Sequence, residues 1–126
     1  MLLGSGVDLI EVGRIAESME RFGERFLRRV YSAREIAYCS GRRSAAESFA
    51  ARFAAKEAGS KALGTGMNFG VAWTQIEVVR SSTGRPMLEL SGAALRHAER
   101  LGVRAISLSL SHTDALAIAM VVLEGA

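Results

Sequence analysis

The segment from Ser44 to Leu63 constrains the fold more than any other, because it is rich in alanine, holds no proline and stops at Gly64. Alanine is the strongest helix former and a glycine past the last turn is a common helix stop, so this spacing predicts a long helix ending near Leu63. At about 100° per residue, Glu57 lies beside Phe53 and Ala50, on a face too apolar to be freely solvated. Lys61 follows Glu57 by four residues, the order and spacing of a helix ion pair worth roughly 0.2–0.5 kcal/mol. Arg52 and Lys56 repeat that spacing with like charges, which costs a little unless an anion lies between them.

Around this helix the pattern alternates between strand and helix. Leu2 to Ile10 reads as a first strand, with Gly4 and Gly6 permitting close backbone approach. Helical periodicity begins at Glu11. Ile15, Met19, Phe22 and Phe26 share one face, and Arg14, Arg21, Arg25 and Arg28 form a ridge about a quarter turn away. Gly23 is a candidate break that would bend this ridge. Ser32 and Glu35 have capping-box spacing for a short helix to Tyr38. Ala72 to Val79 and Pro86 to Leu90 read as strands joined by a turn at Ser81 to Arg85, and Ser91 to Leu101 as a helix stopped by Gly102. From Arg104 to His112, Ile106, Leu108 and Leu110 alternate with Ser107, Ser109 and Ser111. Thr113 and Asp114 turn the chain into Ala115 to Leu123, a strand apolar on both faces. The sum is an α+β fold, a long helix packed on a largely antiparallel sheet.

At 126 residues, 49% hydrophobic and 23% charged, the chain suits one globular domain spanning 1–126. Cys39 is the only cysteine, which excludes an intrachain disulfide and a cysteine-based metal site and suggests a reducing, cytoplasmic setting. The residues after Met1 turn polar and acidic too soon for a signal peptide, and the longest apolar run, Ala115 to Leu123, is too short to span a bilayer. Net charge is +3, but between Arg21 and Arg43 seven arginines face only Glu24 and Glu35. A basic excess confined to one stretch suggests an acidic partner docking there; nucleic acid, a membrane surface and an acidic protein all fit.

Asp8, near the end of the first strand, has Glu11 three residues on, which is the spacing of a helix N-cap and its capping-box partner. A carboxylate there is also placed to meet a second one from a packed helix, and two carboxylates plus phosphate oxygens are the usual way proteins hold Mg²⁺. His112 continues the apolar phase of its strand, where a lone histidine is more often a structural residue. Gly64-Thr65-Gly66 is most simply a helix C-cap, though glycines also let backbone N–H groups reach a phosphate. It is not a Walker loop, since it follows a helix and lacks the Gly-Lys-Ser/Thr ending.

Taken together the fragments resemble one known family. Gly6-Val7-Asp8-Leu9-Ile10 with Arg14-Ile15, then Arg52-Phe53-Ala54-Ala55-Lys56-Glu57-Ala58 with Lys61-Ala62-Leu63-Gly64-Thr65-Gly66, then Ser109-Leu110-Ser111-His112-Thr113 follow the order of the holo-acyl-carrier-protein synthases. These are short, single-lobe members of the 4′-phosphopantetheinyl transferase superfamily. The resemblance covers essentially the whole chain, and its central motif is the specific part. It implies that Asp8 and Glu57 hold Mg²⁺ against the pyrophosphate of coenzyme A and that Lys61 contacts the same phosphates. It further implies that Arg52 and His112 meet the 3′-phosphate and its surroundings, with Gly64, Thr65 and Gly66 near the nucleotide. Arg14, Arg21, Arg25 and Arg28 would grip an acidic acyl-carrier protein, and the chain would form a homotrimer with sites between subunits. The implied reaction moves 4′-phosphopantetheine from coenzyme A to a carrier serine in fatty acid biosynthesis. A basic nucleic-acid-binding domain would explain the arginines but not Asp8 and Glu57, whose charge opposes such binding, and few aromatics are available for stacking. A coenzyme A-binding module without chemistry would bind nucleotide without Mg²⁺ and transfer nothing.

Overall fold

In the computed structural model, which describes residues 1–126, the elements run β1 (Leu2–Glu11), α1 (Val12–Phe22), α2 (Glu24–Val30), α3 (Ala33–Ser40), α4 (Ala45–Leu63), a 3-10 turn (Trp73–Gln75), β2 (Ile76–Arg80), β3 (Pro86–Leu90), α5 (Gly92–Leu101), β4 (Ala105–His112) and β5 (Leu116–Glu124). The fold is α+β, and every strand pairing is antiparallel. The strands divide into a three-stranded sheet of order β1-β5-β4 and a separate β2-β3 hairpin. Helix α4 lies across β1 and β5, and its alanines Ala50, Ala54, Ala55 and Ala58 are fully buried.

Small side chains let α4 come close, and two glycines bring it closer still. Successive residues of a strand point to opposite faces, so Gly4, Gly6, Asp8 and Ile10 share the face of β1 turned towards α4. A Cβ at Gly4 would collide with the carbonyl oxygen of Ala62, and one at Gly6 with that of Ala58. Strand and helix therefore meet backbone to backbone. Asp8, the next residue on that face, is aimed at α4.

Differences from the sequence reading have physical causes. Strand β1 continues to Glu11, which itself is the N-cap of α1 and makes no side-chain cap, so Asp8 is a mid-strand residue and caps nothing. Gly23, at φ 56°, ends α1 and separates it from α2. The expected apolar face holds in part: Ile15 is buried and Met19 and Phe26 pack against the core, but Phe22, next to the break, is exposed. The stretch before Ile76 is no strand. Lys56 takes the carbonyl oxygen of Trp73, and Gln75 Oε1 accepts from the N–H groups of Ala72 and Ala94. The predicted capping box at Ser32 and Glu35 is present, as is the helix stop at Gly64 with φ 80°.

Glu35 and Lys56 form a completely buried ion pair, with Nζ 2.7 Å from Oε1. All three ammonium protons are used: Lys56 Nζ also donates to the carbonyl oxygens of Trp73 at 3.1 Å and Ile76 at 2.7 Å. Glu35 accepts from Ser32 N and Val78 N, each at 2.9 Å. Lys56 thus has its own anion, and Arg52 turns elsewhere, so the like-charged helix pair expected from spacing does not form. Burial holds the Lys56 ammonium below its ordinary pKa while Glu35 works against that shift. On the outer side of the hairpin, Glu77 and Glu89 sit directly opposite each other, and Arg34 neutralises both at 2.7 and 3.1 Å.

Removing one partner of a buried pair leaves an uncompensated charge. Glu35→Ala should lower stability by about 3–5 kcal/mol in urea unfolding, and Glu35→Ala with Lys56→Met should cost less than that single change.

Candidate active site

Asp8 is brought by β1 and Glu57 and Lys61 by α4, because the close approach at Gly6 sets strand and helix at one level. Lys61 Nζ lies 3.0 Å from Asp8 Oδ1 and 3.2 Å from the Val7 carbonyl oxygen. The Glu57–Lys61 helix pair suggested by spacing is absent, since Lys61 crosses to the strand. Glu57 has no such bond. Its carboxyl is pushed above the usual range by burial first and by the negative charge of Asp8 second, with Lys61 opposing. Two acids from facing elements, one of them partly shielded from water, suit a hard divalent cation that draws its other ligands from water and phosphate. No cluster of three or more His, Cys, Asp or Glu side chains could hold a metal ion.

None of Asp8, Glu57 and Lys61 lines the cleft of about 440 Å³ at the N-terminal half of α4, whose lining includes Tyr38, Arg42, Arg43, Arg52, Arg80 and His112. The structure therefore brings together Arg52 and His112, which are 60 residues apart in the chain. Arg52 is 3% exposed; its Nη1 donates to Ser48 Oγ at 3.3 Å and its Nε has no partner. His112 Nδ1 lies 3.2 Å from Glu47 Oε1, the one carboxylate in the cleft lining. Arg80 and Pro86, from the β2-β3 hairpin, form a wall that the sequence reading did not include. Nothing local marks Arg80, an ordinary strand-end residue until the hairpin folds over α4.

Gly64, Thr65 and Gly66 are not part of this cleft lining. They cap the opposite end of α4, and their N–H groups are spent on Lys61 O and Ser60 O at 3.0–3.2 Å. Those amides are closed to a phosphate. Arg14 and Arg21 line a shallow pocket on α1, whereas Arg25 and Arg28 belong to α2 beyond the Gly23 break. All four are exposed, and Arg28 pairs with Glu24 at 3.3 Å. The ridge is bent, as the glycine suggested.

An acidic pair, a lysine and a cationic cleft on an α+β lobe are groups suited to a phosphorylated ligand. The model of the 4′-phosphopantetheinyl transferase superfamily matches residues 4–121. A holo-[acyl-carrier-protein] synthase of Solibacter usitatus is 53% identical over 124 residues, covering 98% of this chain and 99% of that protein. Among solved structures, the holo-[acyl-carrier-protein] synthase of Neisseria meningitidis superposes with TM-score 0.89 at 33% identity, covering 98% of this chain and 99% of the other. That of Helicobacter pylori, solved in complex with coenzyme A, gives TM-score 0.84 at 32% identity over 95% and 99%. The chain belongs to the 4′-phosphopantetheinyl transferase superfamily, among its holo-[acyl-carrier-protein] synthases.

The backbone contact at Gly6 generates a direct test of how the acids are brought together. Gly6→Ala should lower stability by on the order of 1–3 kcal/mol and depress transferase activity more than stability alone explains, because β1 must back away with Asp8. Gly13→Ala, in open space on α1, should be neutral or slightly stabilising in the same thermal melts.

Proposed function

We propose that the protein transfers 4′-phosphopantetheine from coenzyme A to a serine of an acidic apo-acyl-carrier protein, releasing 3′,5′-ADP, as one lobe spanning 1–126. The observation that carries this is the convergence of Asp8, Glu57 and Lys61, with a cationic cleft of nucleotide size built on the N-terminal half of the same helix. Complexes of similar proteins with coenzyme A agree with it, those of Helicobacter pylori and Bacillus anthracis among them.

Asp8 and Glu57 would hold Mg²⁺, which when bound neutralises charge on the pyrophosphate and its leaving group. Lys61, already poised at Asp8, adds a fixed ammonium to the same phosphates. The serine oxygen attacks the phosphorus that carries pantetheine; the new P–O bond forms as the bond to 3′,5′-ADP breaks. Glu57 or Asp8 takes the serine proton, directly or through a water. Arg52 and His112 hold the 3′-phosphate end in the cleft.

Arg14, Arg21, Arg25 and Arg28 offer an exposed cationic ridge to the carrier's acidic helix, which speeds encounter and sets orientation. The sheet face turned away from α4 supports a homotrimer. Val7, Leu9, Ile118 and Met120 stand together there, 40–61% exposed, which is unusual for a face left to solvent. Gly64, Thr65 and Gly66, remote from the cleft of their own chain, would then lie near a nucleotide bound by an adjacent subunit. We place the reaction in the cytoplasm, in fatty acid biosynthesis; no helix is long and apolar enough to cross a membrane.

Incubation with coenzyme A, Mg²⁺ and an apo carrier protein tests the assignment: mass spectrometry should show a phosphopantetheine-sized gain on the carrier, and no gain refutes it. Glu57→Gln should cut transfer by roughly 100-fold or more while far-ultraviolet circular dichroism stays unchanged, since shape is kept and one charge is lost. Arg14→Glu or Arg25→Glu should weaken carrier binding about tenfold in low salt with little effect on coenzyme A, measured by titration calorimetry. Equal losses for both ligands would remove the docking role.

A further inference from the structure

Three guanidinium groups converge on one aromatic ring in the cleft. The Cζ atoms of Arg52, Arg80 and Arg42 lie 4.3, 5.0 and 5.2 Å from the centroid of Tyr38. They arrive from separate elements: Arg52 from α4, Arg80 from the end of β2 and Arg42 from the loop after α3. Like charges gathered so closely repel, and the ordinary remedy is a carboxylate among them. None is present. Arg52 donates only to Ser48 Oγ, Arg80 donates to the Gly84 carbonyl oxygen at 2.6 Å, and none of the three forms an ion pair. Glu47, the one acid in the lining, is taken by His112. Arg52 is nine-tenths buried and more, yet its Nε is unpartnered.

An aromatic ring does something here that a carboxylate cannot. Its face attracts each cation and fixes its position, but it carries no net charge, so the cations stay available to an incoming anion. All three arginines and Tyr38 itself line the same 440 Å³ cleft, and Arg52 and Arg80 also line a second small hollow of about 190 Å³ with Tyr38. The ring is thus the hub between the α4 side of the cleft and the hairpin wall.

We propose that Tyr38 is a positioning residue that holds Arg52, Arg80 and Arg42 as one anion subsite, and that Arg80 thereby helps the enzyme select donors ending in a phosphate monoester. The proposal rests on coenzyme A being the donor, whose only terminal monoester is its 3′-phosphate. A dianionic monoester offers three oxygens and two charges to three guanidiniums; a donor lacking it leaves them uncompensated.

The test compares coenzyme A with 3′-dephospho-coenzyme A in transfer assays, and adenosine 3′,5′-bisphosphate with adenosine 5′-phosphate in calorimetry. Tyr38→Leu should raise KM for coenzyme A on the order of tenfold while changing that for the dephospho donor far less, and Tyr38→Phe, which keeps the ring, should restore the preference. Arg80→Met, at an exposed position, should narrow the same preference and guards against a Tyr38 variant that fails to fold. Equal losses for both donors in Tyr38→Leu, or an unchanged ratio in Arg80→Met, overturn the proposal. Should no carrier protein be modified at all, the calorimetric ratio still decides the subsite: preference for the bisphosphate that vanishes in Tyr38→Leu upholds it, and no preference rejects it.

Discussion

The Glu35–Lys56 pair is the contact on which the rest of the architecture depends. It is wholly buried, and its hydrogen bonds reach four separate pieces of chain: the cap of α3, the middle of α4, the turn at Trp73 and strand β2. An apolar cluster of equal size would tolerate small slides between those pieces. A pair with all three ammonium protons and both carboxylate oxygens bonded does not, because any slide strands a charge in a medium that cannot solvate it. Lys56 is also the immediate neighbour of Glu57 in the chain. Fixing the rotation of α4 about its axis through Lys56 therefore decides which way the acid at the next position faces.

A second constraint works from the opposite side of α4. Where the pair fixes rotation, the glycines of β1 fix distance, since Gly4 and Gly6 let the strand rest on helix carbonyls. Asp8 and Lys61 meet at 3.0 Å across this seam. Two contacts of quite different chemistry thus place one carboxylate pair, and neither involves a residue that touches substrate.

Much of this was legible in the sequence. Long periodic segments, capping residues and stop glycines foretold α3, α4 and α5, and the glycines of β1 announced a close approach before its partner was known. Asp8, Glu57 and Lys61 could be named because the order of motifs matched a family. Local rules alone misplaced them, reading Asp8 first as a cap and Glu57–Lys61 as a helix ion pair, since neither rule sees a strand passing alongside. The buried state of Lys56 was illegible for a similar reason: its partner lies 21 residues earlier, on another helix. Arg80 and Tyr38 escaped notice because their proximity exists only after the hairpin closes over the helix.

That hairpin is a ribbon apart. Strands β2 and β3 share no ladder with the three-stranded sheet; they are fastened to the body by the buried side chains Ile76, Val78 and Leu88 and by the bonds of Glu35 and Lys56. The cleft accordingly has a floor made by α4 and a wall that belongs to a different sheet. A substitution in that ribbon can therefore reshape the cleft through Arg80 without breaking a single ladder bond of the strand that carries Asp8.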